Sequence, residues 1–276
     1  MHRKLTTVLS KCLFYTFNFK VSKYVLVSLK SFIDNNKNFD IKLYAYNFTD
    51  EQKKEFESNF NKLKCNLINV CNVEIIYSDI ENNIKVFGNF KKISNLLFEK
   101  FKHLYQLKKM YNLIIYADPD VIFRKSVKNI EDFVKQDPGF YAVQESDKFV
   151  NSYITIIKKK CLLKNYYNCG FLVLNSDIDD FSLDKFNDLN DFLGRFNLCP
   201  EQNYMNCFYK IKSLKDKHNY LWSNKLVIDP ISVHYNNFVK PWTKVNFETL
   251  GADFKRNYSK ITKFFKDYYY YEGKIC

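Results

Sequence analysis

The sequence predicts an α/β domain built on a mainly parallel sheet flanked by helices. Three observations predict it. Strand-like and helix-like segments alternate through the first half of the chain, the rhythm of βαβ units. The 276 residues suffice for one large domain with a full core. With 46% hydrophobic and 26% charged residues the balance is that of a folded globular chain. No apolar run approaches the ~20 residues of a membrane-spanning helix.

The elements follow in order. Leu13 to Phe19 is apolar and aromatic and suits a strand. Tyr24 to Asn35 places Leu26, Leu29, Phe32 and Ile33 at helical spacing. Ile41, Leu43 and Ala45 alternate as in a strand. Thr49 to Leu63 opens with Thr49 and Gln52 at capping-box spacing and sets Phe56, Phe60 and Leu63 on one face. Val73 to Tyr77 reads as a strand, Ser94 to Met110 as a helix, and Leu113 to Ala117 as a buried strand. No Gly/Ser or Pro-rich linker interrupts the chain. Ligands of such sheets bind beyond the carboxyl ends of the strands. The end of Leu113–Ala117 carries Asp118-Pro119-Asp120.

Composition narrows the function classes. The formal net charge is +13, but only Arg3, Arg124, Arg195 and Arg256 are arginine. Base-reading proteins lean on arginine forks, so nucleic acid is not the expected partner. Lys, Asn, Phe, Tyr and Ile all have A- and T-rich codons, which accounts for much of the lysine surplus. The eight cysteines form no C-x-x-C pair, so no zinc site is expected. Lys11 interrupts the apolar stretch that follows Met1, and no small-residue cleavage site follows. The cysteines are therefore expected to be reduced, in a cytoplasmic protein.

Two carboxylates at i and i+2 repel unless a cation lies between them. Hard ions such as Mn²⁺ or Mg²⁺ take oxygen ligands and keep positions open for substrate phosphates. A turn built from Asp and Pro is the plain alternative.

Four segments together resemble glycosyltransferase family 8, the glycogenin and bacterial lipopolysaccharide glycosyltransferase group. Ile115-Tyr116-Ala117-Asp118-Pro119-Asp120-Val121-Ile122 is similar to the family's "YLDaDvi" segment. Tyr166-Tyr167-Asn168-Cys169-Gly170-Phe171-Leu172-Val173-Leu174-Asn175 is similar to "yfNsGvlliN". Pro200-Glu201-Gln202-Asn203-Tyr204-Met205-Asn206 is similar to "DQdaLN". Val233-His234-Tyr235-Asn236-Asn237, leading to Lys240-Pro241-Trp242, is similar to "iHftG..KPW". Tyr24 to Ser31 resembles a "Y..vsikS" helix. The resemblance spans about residues 13 to 245.

The resemblance implies a GT-A fold, with a Rossmann-like, mainly parallel central sheet flanked by helices. The catalytic domain would occupy residues 1–250. It also implies metal-dependent transfer of a hexose, glucose or galactose, from a UDP-sugar with retention at the anomeric carbon. Asp118, Asp120 and His234 match the metal ligands, for Mn²⁺ or Mg²⁺. Lys240 matches the lysine that contacts the diphosphate. Asn168 and Gly170 match positions lining the donor and acceptor pocket. Gln202 matches the residue closest to the reacting face of the sugar. Its amide is a poor nucleophile and is expected to stabilise an oxocarbenium-like state. Glu201 stands where the family has Asp, and Glu145 falls where the family often has an acid. Lys100 or Lys102 corresponds to a basic residue reaching the donor; spacing allows either.

Two departures stand out. Asn18-Phe19-Lys20-Val21 lacks the Asp-x-x-Tyr stretch that contacts the nucleotide, leaving Phe17 or Phe19 as candidates to stack on the base. Asn237 replaces a glycine. The acceptor is open among a glycan, a lipid-linked saccharide and a protein. An inactive sugar-binding protein and an inverting transferase are the alternatives; the latter needs a carboxylate base such as Glu145 or Glu201. Residues 251–276 form a basic aromatic tail. Eight of its last 24 residues are Phe or Tyr and six are Lys or Arg. That composition suits either a peripheral contact with an anionic membrane or a helix packed on the domain.

Overall fold

The computed structural model describes residues 10–64, 72–80, 95–146, 151–221, 224–236, 240–243 and 258–275. The expectations placed on Asn237, on the segment after Met1 and on the start of the tail before Tyr258 lie outside them.

In chain order the strands and helices are β1 (Lys11–Asn18), α1 (Ser22–Asn35), β2 (Asp40–Tyr46), α2 (Asp50–Lys64), β3 (Asn72–Ser78), α3 (Leu96–Lys108) and β4 (Leu113–Ala117). There follow β5 (Val121–Phe123), α4 (Lys128–Gln136), β6 (Phe140–Gln144), α5 (Asn151–Lys160) and β7 (Tyr167–Leu174). The remainder is α6 (Leu183–Leu193), α7 (Pro200–Phe208), β8 (Ile211–Leu214), β9 (Tyr220–Leu221), β10 (Ser232–His234) and α8 (Phe265–Glu272). A seven-stranded sheet runs β3-β2-β1-β4-β7-β6-β8, and β5, β10 and β9 form a small second sheet. In the large sheet only β7 pairs antiparallel with its neighbours. The sheet is thus mainly parallel, as the alternating pattern predicts.

Parallel strands covered on both faces are apolar throughout. Alternation along β1 sends Leu13, Tyr15 and Phe17 into one core cluster and Cys12 and Phe14 into the other. β4 does the same: Ile115 joins the first cluster, Ile114 and Tyr116 the second. The predicted capping box closes α2: Thr49 N donates to Gln52 Oε1 (3.1 Å) and Gln52 N to Thr49 Oγ1 (3.3 Å).

The described part of the C-terminal segment is docked on the domain. Asn35 Nδ2 on α1 donates to Tyr271 Oη (3.1 Å), and Arg124 Nε donates to Asp267 (2.8 Å). Ile261, Phe264, Tyr268 and Ile275 belong to the same core cluster as β1. Helical periodicity divides the tyrosine run: Tyr268 and Tyr271 are buried, whereas Tyr269 and Tyr270 are exposed. Among the described residues no helix is long and apolar enough to cross a membrane.

Candidate functional site

β4 ends against the start of β7 because the two strands are antiparallel, with Ala117 opposite Phe171. That register brings Asp118 beside Asn168 and Gly170. Asp118 N donates to Gly170 O (2.7 Å), and Val121 N closes the turn on Asp118 O (3.1 Å). The second sheet supplies the histidine. β10 pairs antiparallel with β5, placing His234 opposite Val121, and Tyr235 N donates to Asp120 O (3.0 Å). A residue more than a hundred positions away thereby meets the carboxylates.

Ligand atoms of Asp118, Asp120 and His234 lie within 4.8 Å of one another. His234 Nε2 is 3.1 Å from Asp120 Oδ1 and 3.8 Å from Asp118 Oδ2. Asp120 Oδ1 is buried and has no hydrogen-bond partner. Burial pushes the His234 imidazole down to about 4, against the upward pull of Asp118 and Glu145, so the ring is neutral near pH 7. Lone pairs of a neutral imidazole and two carboxylates converge here, a donor set that fits a divalent cation. Gly170 makes the approach possible. A Cβ there would collide with the His234 ring and come within 2.5 Å of Asp118 Oδ2.

Cations surround the carboxylates. Burial by itself would raise the Asp118 pKa, but Lys100, His234, the Tyr116 hydroxyl and Lys240 outweigh it and hold the carboxyl below its ordinary value. Lys100 Nζ is buried 3.7 Å from Asp118 Oδ1 and 4.9 Å from the Tyr116 ring centroid. Tyr116 Oη donates to Asp118 Oδ1 (2.5 Å). Lys240 pairs with Asp120 Oδ2, and burial lowers its pKa to about 8.

Two cavities meet over this cluster, and Asp118, Asp120 and Lys240 line both. One, of about 200 Å³, is also lined by Glu145, Asn168, Gly170, Glu201, Gln202 and His234. Inside it Asn168 Nδ2 donates to Glu145 Oε1 (2.8 Å), and Asn168 Oδ1 accepts from Gly170 N (2.9 Å). Burial raises the Glu145 carboxyl, offset in part by hydrogen bonds from Asn168 and Gln202. Burial likewise raises Glu201, with Lys100 pulling the other way. The other cavity, of about 460 Å³, is walled by Val21, Tyr24, Leu96, Leu97 and Trp242. Tyr24 and Trp242 stack with centroids 3.8 Å apart and planes at 10°.

The structure therefore gathers Asp118, Asp120, His234, Lys240, Lys100, Asn168, Gly170, Glu145, Glu201 and Gln202 around one junction. Lys102 is elsewhere: it pairs with Glu99 (2.6 Å) and lines neither cavity. Of the two candidates for base stacking, Phe17 is among the residues lining the apolar groove, with its ring packed against Phe48 and Phe56, and Phe19 packs edge-on to Phe48. Sequence reasoning missed the Tyr24–Trp242 stack and the Tyr116 hydrogen bond. All three residues stood inside segments already singled out, but neither contact has a local sequence signal.

The sequence model described as "Glycosyl transferase family 8" matches residues 12–181. No curated protein sequence matches the chain. Among solved structures, the galactosyltransferase LgtC, in complex with donor and acceptor sugar analogues, is similar over 93% of this chain and 99% of its own. The TM-score is 0.62 and the identity 16%. The bifunctional glycosyltransferase WbbM covers 99% of this chain and is itself covered over 50%, with TM-score 0.59 and 16% identity. Mouse xyloside xylosyltransferase 1 covers 83% of this chain and is covered over 98%, with TM-score 0.54 and 12% identity. At these identities the likeness is one of fold.

Proposed function

Because the chain belongs to glycosyl transferase family 8, and is a glycosyltransferase of the GT-A fold, we propose that it moves a hexose from a UDP-sugar to a saccharide, lipid-linked saccharide or protein acceptor. Glucose or galactose is the proposed sugar, with retention at the anomeric carbon. The observation that carries this reading is the Asp118–Asp120–His234 cluster at the junction of the two cavities.

The division of space suggests the division of roles. The apolar groove offers the stacked Tyr24 and Trp242 as a wall for the nucleoside. Asp118, Asp120 and His234 would hold Mn²⁺ or Mg²⁺ over the junction. That ion would neutralise charge on the departing diphosphate. Lys240 leaves Asp120 for the phosphates and places its charge on them. Lys100 stays buried and keeps Asp118 ionised. The polar cavity takes the hexose. Asn168 and Glu145 orient its hydroxyls, Gly170 lets it approach the backbone, and Gln202 presents its amide to the developing positive charge. Glu201, facing Lys100 and Cys169, positions that wall. On α8, the exposed Tyr269 and Tyr270 beside Lys266 and Lys274 suit a peripheral contact with an anionic membrane. Co-sedimentation with anionic vesicles checks that contact.

The test is release of nucleoside diphosphate from a panel of nucleotide sugars, with and without Mn²⁺. Release from one UDP-hexose, abolished by chelator, is expected. No release from any donor, together with no thermal stabilisation by UDP plus Mn²⁺, would sink the reading. The anomeric configuration of the product separates retention from inversion.

A further inference from the structure

We propose that the open cleft at the carboxyl ends of β6 and β8 is the acceptor subsite, and that it takes a saccharide bearing an anionic substituent, phosphate or carboxylate. The inference rests on the transferase reading above and adds a substrate class to it. The cleft, of about 620 Å³, is lined by Glu145, Ser146, Lys215, Lys217, Asn224 and Lys225 among others. Glu145 also lines the polar cavity with Asp118 and His234. One side chain thus forms the wall between the two spaces. A sugar seated in the cleft lies next to the reacting end of the cavity, on the ligand-binding edge of the sheet.

The lining is held in place by the backbone. Asn224 is buried. Its Nδ2 donates to Gln144 O (3.0 Å) and Asp216 Oδ1 (3.0 Å), and its Oδ1 accepts from Ser146 N (3.0 Å). The turn bearing Lys215 and Lys217 is tied by His218 N to Lys215 O (2.9 Å) and by Ile231 N to Lys217 O (2.6 Å).

Some lysines of this chain meet carboxylates, as Lys11 does Glu131, Lys23 does Glu272 and Lys128 does Asp132. Among the described residues no carboxylate lies within ion-pair distance of Lys215, Lys217 or Lys225. The lining also holds two acids: Asp216, which accepts from Asn224 and lies within electrostatic reach of Lys225, and Glu145, which accepts from Asn168; lysines outnumber them three to two. Three ammonium groups gathered on one cleft repel one another, and an anion relieves that cost. A neutral acceptor leaves it in place.

The experiment is calorimetric titration of the full chain, preloaded with UDP and Mn²⁺ so that the diphosphate site is filled. The probes are two pairs: lactose against 3′-sialyllactose, and glucose against glucose 6-phosphate. At least one anionic probe is expected to bind about tenfold tighter than its neutral partner, the worth of two or three exposed ion pairs. The gap should shrink as salt rises from about 50 to about 300 mM. The pair that responds names the anion as carboxylate or phosphate. A Lys215→Ser/Lys217→Ser/Lys225→Ser variant should erase the gap. If that variant melts early, Lys217→Ser alone should narrow it about threefold. No preference in either pair, or a preference that survives the triple variant, overturns the proposal. Chelator-sensitive donor hydrolysis by the unmodified protein reports separately on the transferase reading. Hydrolysis without anion preference rejects the subsite and leaves the transferase standing.

Discussion

On one side of Asp118 and Asp120 lies a groove walled by Val21, Tyr24, Leu97 and Trp242; on the other lies a cavity walled by Glu145, Asn168, Gln202 and His234. The first offers area and stacking, interactions equally available to ground state and transition state. The second presents fixed dipoles and charges, which favour whichever state develops charge against them. Changes on the apolar side should therefore move donor affinity, and changes on the polar side should move turnover.

The largest effect belongs to the junction that both sides share. Asp120→Asn should lower transfer by about a thousandfold or more, since one lost carboxylate removes charge from the cation site. The melting temperature should hold, because the side chain contributes little to the core. Wild-type activity in the variant with manganese present would break the assignment. Gly170→Ala comes next. Its Cβ would drive apart His234 and Asp118, and misplacement by about 1 Å costs about a hundredfold. Half-saturation for Mn²⁺, followed by titration, should rise with it. An unchanged Mn²⁺ requirement would mean that these two side chains do not share an ion.

The comparison itself is tested by a matched pair. Gln202→Ala should reduce kcat by about a hundredfold, the scale of one lost transition-state dipole, with donor KM little changed. Trp242→Ala should raise donor KM about tenfold, the scale of one stacked aromatic, with kcat little changed. If both variants move the same parameter, the two walls do not divide the work.

Much of this arrangement was legible in the sequence, for physical reasons. A five-residue apolar run ending in Asp-x-Asp marks a strand end, and the Thr49–Gln52 spacing marked a helix start that the structure reproduces. What escaped were choices made by tertiary contact. Lys100 and Lys102 differ by two positions, about 200° around a helix, so they face opposite ways. Periodicity reads a lysine as outward, yet Lys100 sits in the buried stripe with Leu104 and Leu107. Only the facing strand, with Asp118 to pair and Tyr116 to cover it, selects that lysine. The Tyr24–Trp242 stack escaped for the same reason: its partners are joined through space, across most of the chain.

The smallest effect at neutral pH concerns what holds the apolar groove in shape. Leu96, Leu97 and Lys100 reach the groove from α3, and His103 fastens that helix to β2. Its ring stacks on Tyr44 at 3.5 Å and shares a hydrogen bond with the Tyr46 hydroxyl. Burial lowers His103 to about 4, whereas in the unfolded chain it titrates near the ordinary 6.5. The unfolded state therefore takes up a proton that the folded state refuses. Stability from this residue is fully present above pH ~6.5 and is lost as pH falls toward ~4, by up to ~3 kcal/mol. His218 shifts in the same direction for the same first cause, so the wild-type slope contains more than one proton. Denaturant midpoints measured from pH 7 down to pH 4 should show His103→Leu with a shallower acid slope than wild type, by up to one proton. If the groove depends on α3, wild-type donor KM should rise over that range before turnover falls. A slope identical in both proteins would mean that His103 is solvated in the fold and does not fasten α3.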